Sequence, residues 1–195
     1  KKPDVYTMNP HDIDEILKSI EEISKKIGRE KEGASLVDSL RKRVRFVKDQ
    51  AFEKIPRVAA IEWIDPFFTS GHWVPEMIEI AGGKNLISSE KMPSRKMQLE
   101  EIRDADPDVI VIMPCGFDVK RTIDEYNKTL AENKEWNDLR AVKENNVYAV
   151  DANSYFSKPS LRTITGIEIL ASIFHPEIFK GLEMPENSYM QINGY

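Results

Sequence analysis

Five consecutive apolar residues, Val109-Ile110-Val111-Ile112-Met113, limit what this chain can become. They lie between Asp106-Pro107-Asp108 and Pro114-Cys115-Gly116-Phe117, two turn-forming clusters, so the run is too short for a helix and reads as a strand. Side chains of a strand alternate between its two faces, and here neither face offers a polar group to water. Such a strand needs a cover on both sides, as in a parallel sheet that carries helices on each face.

The flanking sequence supplies that cover. Upstream, residues 57–63 read as a strand, 74–81 as a helix closed by Gly82-Gly83, 85–87 as a short strand and 98–105 as a short helix. Downstream, 118–131 is helical, with Val119, Ile123, Tyr126 and Leu130 on one side, and 136–141 is a turn or short helix. A strand at 147–150, a loop at 151–158 and a closing helix at 159–174 follow. The expected fold class is α/β: a mostly parallel open sheet with helices on both faces, a Rossmann-like lobe preceded by long helices. The first of those helices is entered at Asn9-Pro10, as N-cap and first turn, and carries Ile13, Ile16, Leu17, Ile20, Ile23 and Ile27 on one face with Gly28 as its stop. The second spans about 30–54, and its basic cluster Arg41-Lys42-Arg43 with Arg45 reads as a solvated face. Residues 180–195 form a polar tail without period.

Composition narrows the function classes. The 195 residues carry a net charge of −5, which argues against a nucleic-acid surface. The single cysteine excludes an intrachain disulfide and any multi-cysteine metal site. No apolar run is long enough to span a bilayer, and no glycine-rich phosphate loop is present. The start at Lys1-Lys2-Pro3 reads as that of a fragment or processed chain.

Three loops leave strand ends: 62–74, 114–118 and 151–158. In open parallel sheets ligands bind beyond the carboxyl ends of the strands, and parallel topology sets all three on one edge. Their residues are the candidate binding set. Trp63 ends a strand and suits core and cleft equally, and Asp65 before Pro66 either caps a turn or faces ligand. His72 is a donor or metal-axial group if it is not simply bonded to nearby backbone, and Trp73 faces the ligand or the core. Cys115 reads first as a small buried filler and second as a nucleophile, beside Phe117. Tyr155 is expected outward and Phe156 inward on extended backbone. Arg162 pairs with a carboxylate or reaches the ligand. His11 and His175 read as structural and distant from His72, so the three histidines assemble no zinc site; His72 and Glu76 give only weak helical metal spacing. The expected surface is broad, aromatic and sparsely polar, wide enough for a macrocycle or a protein partner.

Glu62-Trp63-Ile64-Asp65-Pro66, Gly71-His72-Trp73-Val74-Pro75-Glu76, Pro93-Ser94-Arg95, Asp106-Pro107-Asp108-Val109-Ile110, Met113-Pro114-Cys115-Gly116-Phe117-Asp118 and Val147-Tyr148-Ala149-Val150-Asp151 together resemble the cobalamin and iron-siderophore solute-binding proteins of ABC importers. The likeness runs from about Asn9 to Phe179. It implies two α/β lobes joined by a rigid helix, with the ligand held between them. On that template 1–56 supplies interdomain helices, 57–179 is the C-terminal substrate-binding lobe, 180–195 is a tail, and the N-terminal lobe has no counterpart here. The resemblance further implies a non-enzymatic protein without intrinsic cofactor, cobalamin or a ferric chelate as ligand, an ABC permease as membrane partner, and an extracytoplasmic location. By loop position Trp63, Asp65, His72, Trp73, Cys115, Phe117 and Tyr155 line the cleft on that template. Two other readings compete. One is a partner-binding or dimerising domain with its aromatics exposed. The other is an enzyme using Cys115 with His72 as base and Asp65 as its orienter.

Overall fold

The computed structural model describes residues 5–192, so the Lys1-Lys2-Pro3 start and the last three residues of the tail lie outside it. In chain order the elements begin with helices α1 (Ile13–Lys26) and α2 (Glu30–Lys48). Then come β1 (Arg57–Ile64), β2 (Phe67–Thr69), α3 (Val74–Ile80), β3 (Lys84–Asn85), α4 (Leu99–Ala105) and β4 (Val109–Ile112). The chain continues with α5 (Val119–Thr129), α6 (Lys134–Asn137), α7 (Arg140–Lys143), β5 (Val147–Val150), α8 (Ala152–Tyr155), α9 (Thr163–Phe174), α10 (Pro176–Phe179) and β6 (Tyr189–Ile192). The class is α/β as expected, with one sheet ordered β2-β1-β4-β5-β6. Strands β1, β4 and β5 run parallel, with Val58 opposite Val109 and Ile110 opposite Val147. The other edge of β1 is shared: β3 pairs in parallel with its start and β2 antiparallel with its end.

Strand parity divides the interior into two cores. Val58, Ala60, Val109, Val111 and Val150 face a layer that includes Ile16, Leu40, Met77 and Ile167. Ala59, Ile61, Ile110, Ile112 and Ala149 face the opposite layer, with Ile102, Tyr126 and Trp136. All four residues of β4 are buried. Trp136 is fully buried; its indole N–H donates to the Tyr126 hydroxyl at 3.0 Å and its ring stacks on Phe67.

Four expectations need correction. Asn9-Pro10 does not open α1; Asp12 caps it, its Oδ1 accepting from the Glu15 N–H at 2.7 Å. Asp12 is also held by Lys91 at 2.8 Å, and the Ile13 N–H donates to Glu76 Oε2 at 2.8 Å, so the helix starts where tertiary partners satisfy its free N–H groups. The stretch 62–74 is not all loop, because Phe67–Thr69 folds back as β2. The tail is not free of structure: β6 forms an edge strand, with Val150 opposite Tyr189 and Val147 opposite Ile192. Finally, the basic cluster on α2 is not simply a solvated face. Arg41 reaches Asp14 of α1 at 3.0 Å. Arg43 forks onto the buried Glu168 of α9, with Nε–Oε1 at 2.8 Å, and also donates to Thr165 Oγ1 at 2.9 Å.

That fork fastens α2 to the lobe. Arg43→Met leaves Glu168 buried without its cation and is expected to destabilise the fold by about 2 kcal/mol. Arg43→Met with Glu168→Leu should recover much of that loss; urea unfolding of wild type, single and double variants checks both.

Candidate functional site

The parallel register brings the carboxyl ends of β1, β4 and β5 side by side, and backbone hydrogen bonds stitch the loops beyond them. The Met113 N–H donates to Ile61 O at 2.8 Å and the Cys115 N–H to Glu62 O at 3.3 Å. The Asn153 N–H donates to Phe117 O at 3.0 Å, and the Gly116 N–H to Ser157 Oγ at 3.0 Å. Trp73 on the first loop donates its indole N–H to Phe156 O on the third, at 3.0 Å and buried.

Two depressions open on this edge. The larger, about 370 Å³, is lined from the first loop by Glu62 and Gly71 to Val74, from the end of β4 by Met113 and Cys115, and from the third loop by Phe156, Ser157 and Pro159. Met8, Asn9 and Pro10 close it from the segment before α1. The smaller, about 280 Å³, lies among Trp63, Pro66, Phe68 and Ser94 and shares Glu62 and Cys115 with the first.

Of the sequence-predicted residues, His72, Trp73 and Cys115 line the larger depression, and Trp63 with Cys115 the smaller. Trp73 lines the larger one while remaining mostly buried. Cys115 is exposed rather than a buried filler, because it sits in the turn beyond β4. Phe117 lies beneath the surface, edge-on to Trp63 at 5.3 Å, with the Arg121 guanidinium 3.7 Å over its ring. It supports Trp63 without lining either depression. Asp65 is exposed, and its carbonyl accepts from the Trp63 indole N–H at 3.1 Å, so its backbone orients the ring. Tyr155 and Phe156 exchange their expected roles. The stretch is not extended: Asp151 caps the single turn α8, and a helical turn does not set neighbours on opposite faces. Phe156 becomes the cleft wall, while Tyr155 packs half-buried against the α9 side. Arg162 is exposed at the start of α9, away from both depressions.

His11 is nearer than expected. Its ring centroid lies 6.0 Å from that of His72, because the segment before α1 folds over the first loop. His175 is remote, stacked on Phe52 at 4.1 Å with Nε2 3.0 Å from Gly82 O; burial lowers its pKa. Among the described residues no group of three or more His, Cys, Asp or Glu side chains could hold a metal ion.

His72 is held at φ +55°, in the left-handed region. Its N–H donates to Met92 O at 2.7 Å, and its carbonyl accepts from the Lys91 N–H at 3.1 Å. The preceding Gly71 must lack a side chain, since a Cβ there would meet Ser94 N at 2.3 Å. These contacts press the 91–95 segment against the loop and aim the imidazole at the cleft. Pattern reading missed Glu62, Met113, Phe156, Ser157 and the Met8–Pro10 segment; only Glu62 carried a signal, as a carboxylate at the end of an otherwise apolar strand.

A family model described as Periplasmic binding protein matches residues 1–154. The chain is 25% identical over 141 residues to the High-affinity heme uptake system protein IsdE of Staphylococcus aureus, covering 69% of this chain and 47% of that protein. It thus spans about half the length of the curated relatives it matches. Among solved structures, S. aureus IsdE complexed with heme superposes with a TM-score of 0.77 at 19% identity, over 89% of this chain and 69% of that one. An ABC transporter substrate-binding protein from Listeria monocytogenes gives 0.77 at 22% identity, over 88% and 68%. The periplasmic vitamin B12 binding protein BtuF of Vibrio cholerae gives 0.68 at 23% identity, over 87% and 64%.

Burial raises the pKa of Glu62 above the ordinary carboxylate range. A carboxyl held above its unfolded value favours folding most when protonated, and that contribution is lost as pH rises through the folded value. Glu62→Gln is therefore expected to melt higher than wild type at neutral pH, with the gap closing below about pH 4. Thermal melts at both pH values check the sign.

Proposed function

The chain belongs to the periplasmic binding protein family, and on that premise we propose that it serves an ABC importer as one lobe of the substrate-binding component. It covers one face of a wide, flat, metal-bearing ligand and performs no chemistry on it. The observation carrying this reading is the convergence of three loops, stitched to one another, on an aromatic-walled cleft of about 370 Å³ at the carboxyl edge of the sheet. A concave site lined by apolar and aromatic groups, with a few convergent polar ones, suits capture of a macrocycle or chelate. The ligand is a corrinoid, a ferric siderophore-type chelate or a related tetrapyrrole. In support, the relatives named above include a heme uptake protein and a vitamin B12 binding protein.

In this reading residues 1–56 connect to the opposing lobe and 57–179 form the substrate-binding lobe, with β6 completing its sheet edge. Trp63, His72, Trp73 and Cys115 meet the ligand directly, while Phe117 and the Asp65 backbone position Trp63. His72 is the group placed to ligate the metal of a bound tetrapyrrole. The protein acts outside the cytoplasm beside a permease in the membrane; among the described residues no helix is long and apolar enough to cross a membrane. The thiol enzyme reading gains no support: the Cys115 thiol is exposed, and among the described residues it has no hydrogen-bond partner to activate it. Self-association through the cleft edge, where Trp63 is exposed, is the second reading.

Titration with hemin or cyanocobalamin is expected to quench tryptophan emission saturably at one equivalent. Trp63→Ala should weaken that binding about tenfold, and His72→Ala should abolish any shift of the heme absorption band that a nitrogen ligand produces. If neither macrocycle nor a ferric hydroxamate gives saturable quenching, while light scattering shows a dimer that dissociates in Trp63→Ala, the second reading replaces the first.

A further inference from the structure

One acidic side chain stands where the two depressions meet. Glu62 lines both, and no Lys or Arg lines either. Its placement has a local cause. Ile61 pairs with Thr69 and Trp63 with Phe68, so Glu62 is the extra residue of a β-bulge between β1 and β2. A bulge re-aims the side chain it carries, and such features recur beside functional sites. The backbone there is fixed, since the carbonyls of Ile61 and Glu62 both accept from the chain just beyond β4.

The carboxylate itself is unpaired. Among the described residues no cation and no hydrogen-bond donor reaches it, and it is half-buried. Its counterparts elsewhere are satisfied: Glu76 accepts from the Ile13 N–H, and Glu168 is held by Arg43. A partly desolvated carboxylate without a partner disfavours folding, so nothing in the lobe's own packing accounts for it. A ligand carrying a donor would complete it.

We propose that Glu62 sets the charge class of the ligand, accepting a hydrogen bond from a protonated amine or amide N–H on the macrocycle or chelate. The smaller depression receives that arm, with the rings of Trp63 and Phe68 beside it. Aromatic faces attract a cation and tolerate an amide. A carboxylate or phenolate placed at the same spot would stand against Glu62 in a partly desolvated site with no Lys or Arg in the lining to offset it. The lobe therefore favours cationic or neutral, amide-bearing ligands over polyanionic chelates. This inference rests on the capture reading above, and the test separates the two.

Dissociation constants are measured by fluorescence quenching for three probes: cyanocobalamin, which bears amides; ferrioxamine B, a monocation; and a ferric tris-catecholate, a trianion. The wild type is expected to bind one or both of the first two at least about tenfold tighter than the trianion. Glu62→Gln should shrink that ratio about tenfold, and Glu62→Lys should reverse the preference. Thermal melts establish that both variants fold. If the probes bind and the ratio is the same in wild type and both variants, Glu62 sets no preference and the inference fails while capture stands. If neither these probes nor hemin binds the wild type, the capture reading falls and this inference with it; if hemin alone binds, capture stands and this inference fails.

Discussion

The architecture depends on β4, a strand with no polar side chain on either face. Its four residues are buried, so its backbone N–H and C=O groups have no water to turn to and must be met by strands on both sides. β1 and β5 meet them in parallel register. Parallel neighbours need helical crossovers, and the crossovers supply the two layers that bury Val111 on one side and Ile112 on the other. The same register aligns three carboxyl ends. Hydrogen bonding continues past the strands, from Met113 to Ile61 and from Cys115 to Glu62, so the loops carrying the cleft inherit the rigidity of the sheet.

Several local conflicts gather at that edge. His72 sits at positive φ, Gly71 has no room for a Cβ, β1 is bulged at Glu62, and the Glu62 carboxylate has no partner among the described residues. Each of these is unfavourable alone, and each is held by surrounding structure: the 91–95 segment against His72, β2 against the bulge, and Phe117 under Trp63. Local conflicts of this kind concentrate at functional sites, because a core gains nothing from them. Away from the edge, Arg43 forks onto Glu168 and the indole of Trp136 donates to Tyr126.

Fold and ligand class rest on different observations. The family match covers most of the chain and accounts for the layered sheet. The solved relatives are below 25% identity and share the fold, while the names they carry span heme and vitamin B12. What distinguishes one ligand from another lies in a few side chains at the loop ends. The residues lining the two depressions of this chain include a histidine, a cysteine, two tryptophans and one carboxylate, with no Lys or Arg among them.

The α/β class and the gathering of three loops on one edge were legible in the sequence, because both follow from side-chain periodicity and from the handed geometry of parallel crossovers, which act over a few residues at a time. His72, Trp63 and Trp73 were legible for the same reason, as odd chemistry in loops whose position was already set. Four things were not. Helix α1 starts at Ile13 rather than Pro10 because Glu76 and Lys91, distant in sequence, satisfy its first turn. β6 exists because the edge of β5 was open to pair. Phe156 replaces Tyr155 at the cleft because a single helical turn intervened. Glu62 points into the site because β2 folded back one residue out of step with β1. The first two are contacts between segments far apart along the chain; the last two are a single helical turn and a bulge in a tight hairpin, neither of which periodicity announces. Local pattern determines which elements form, and only the packed structure decides where they end and which side chains they turn toward the cleft.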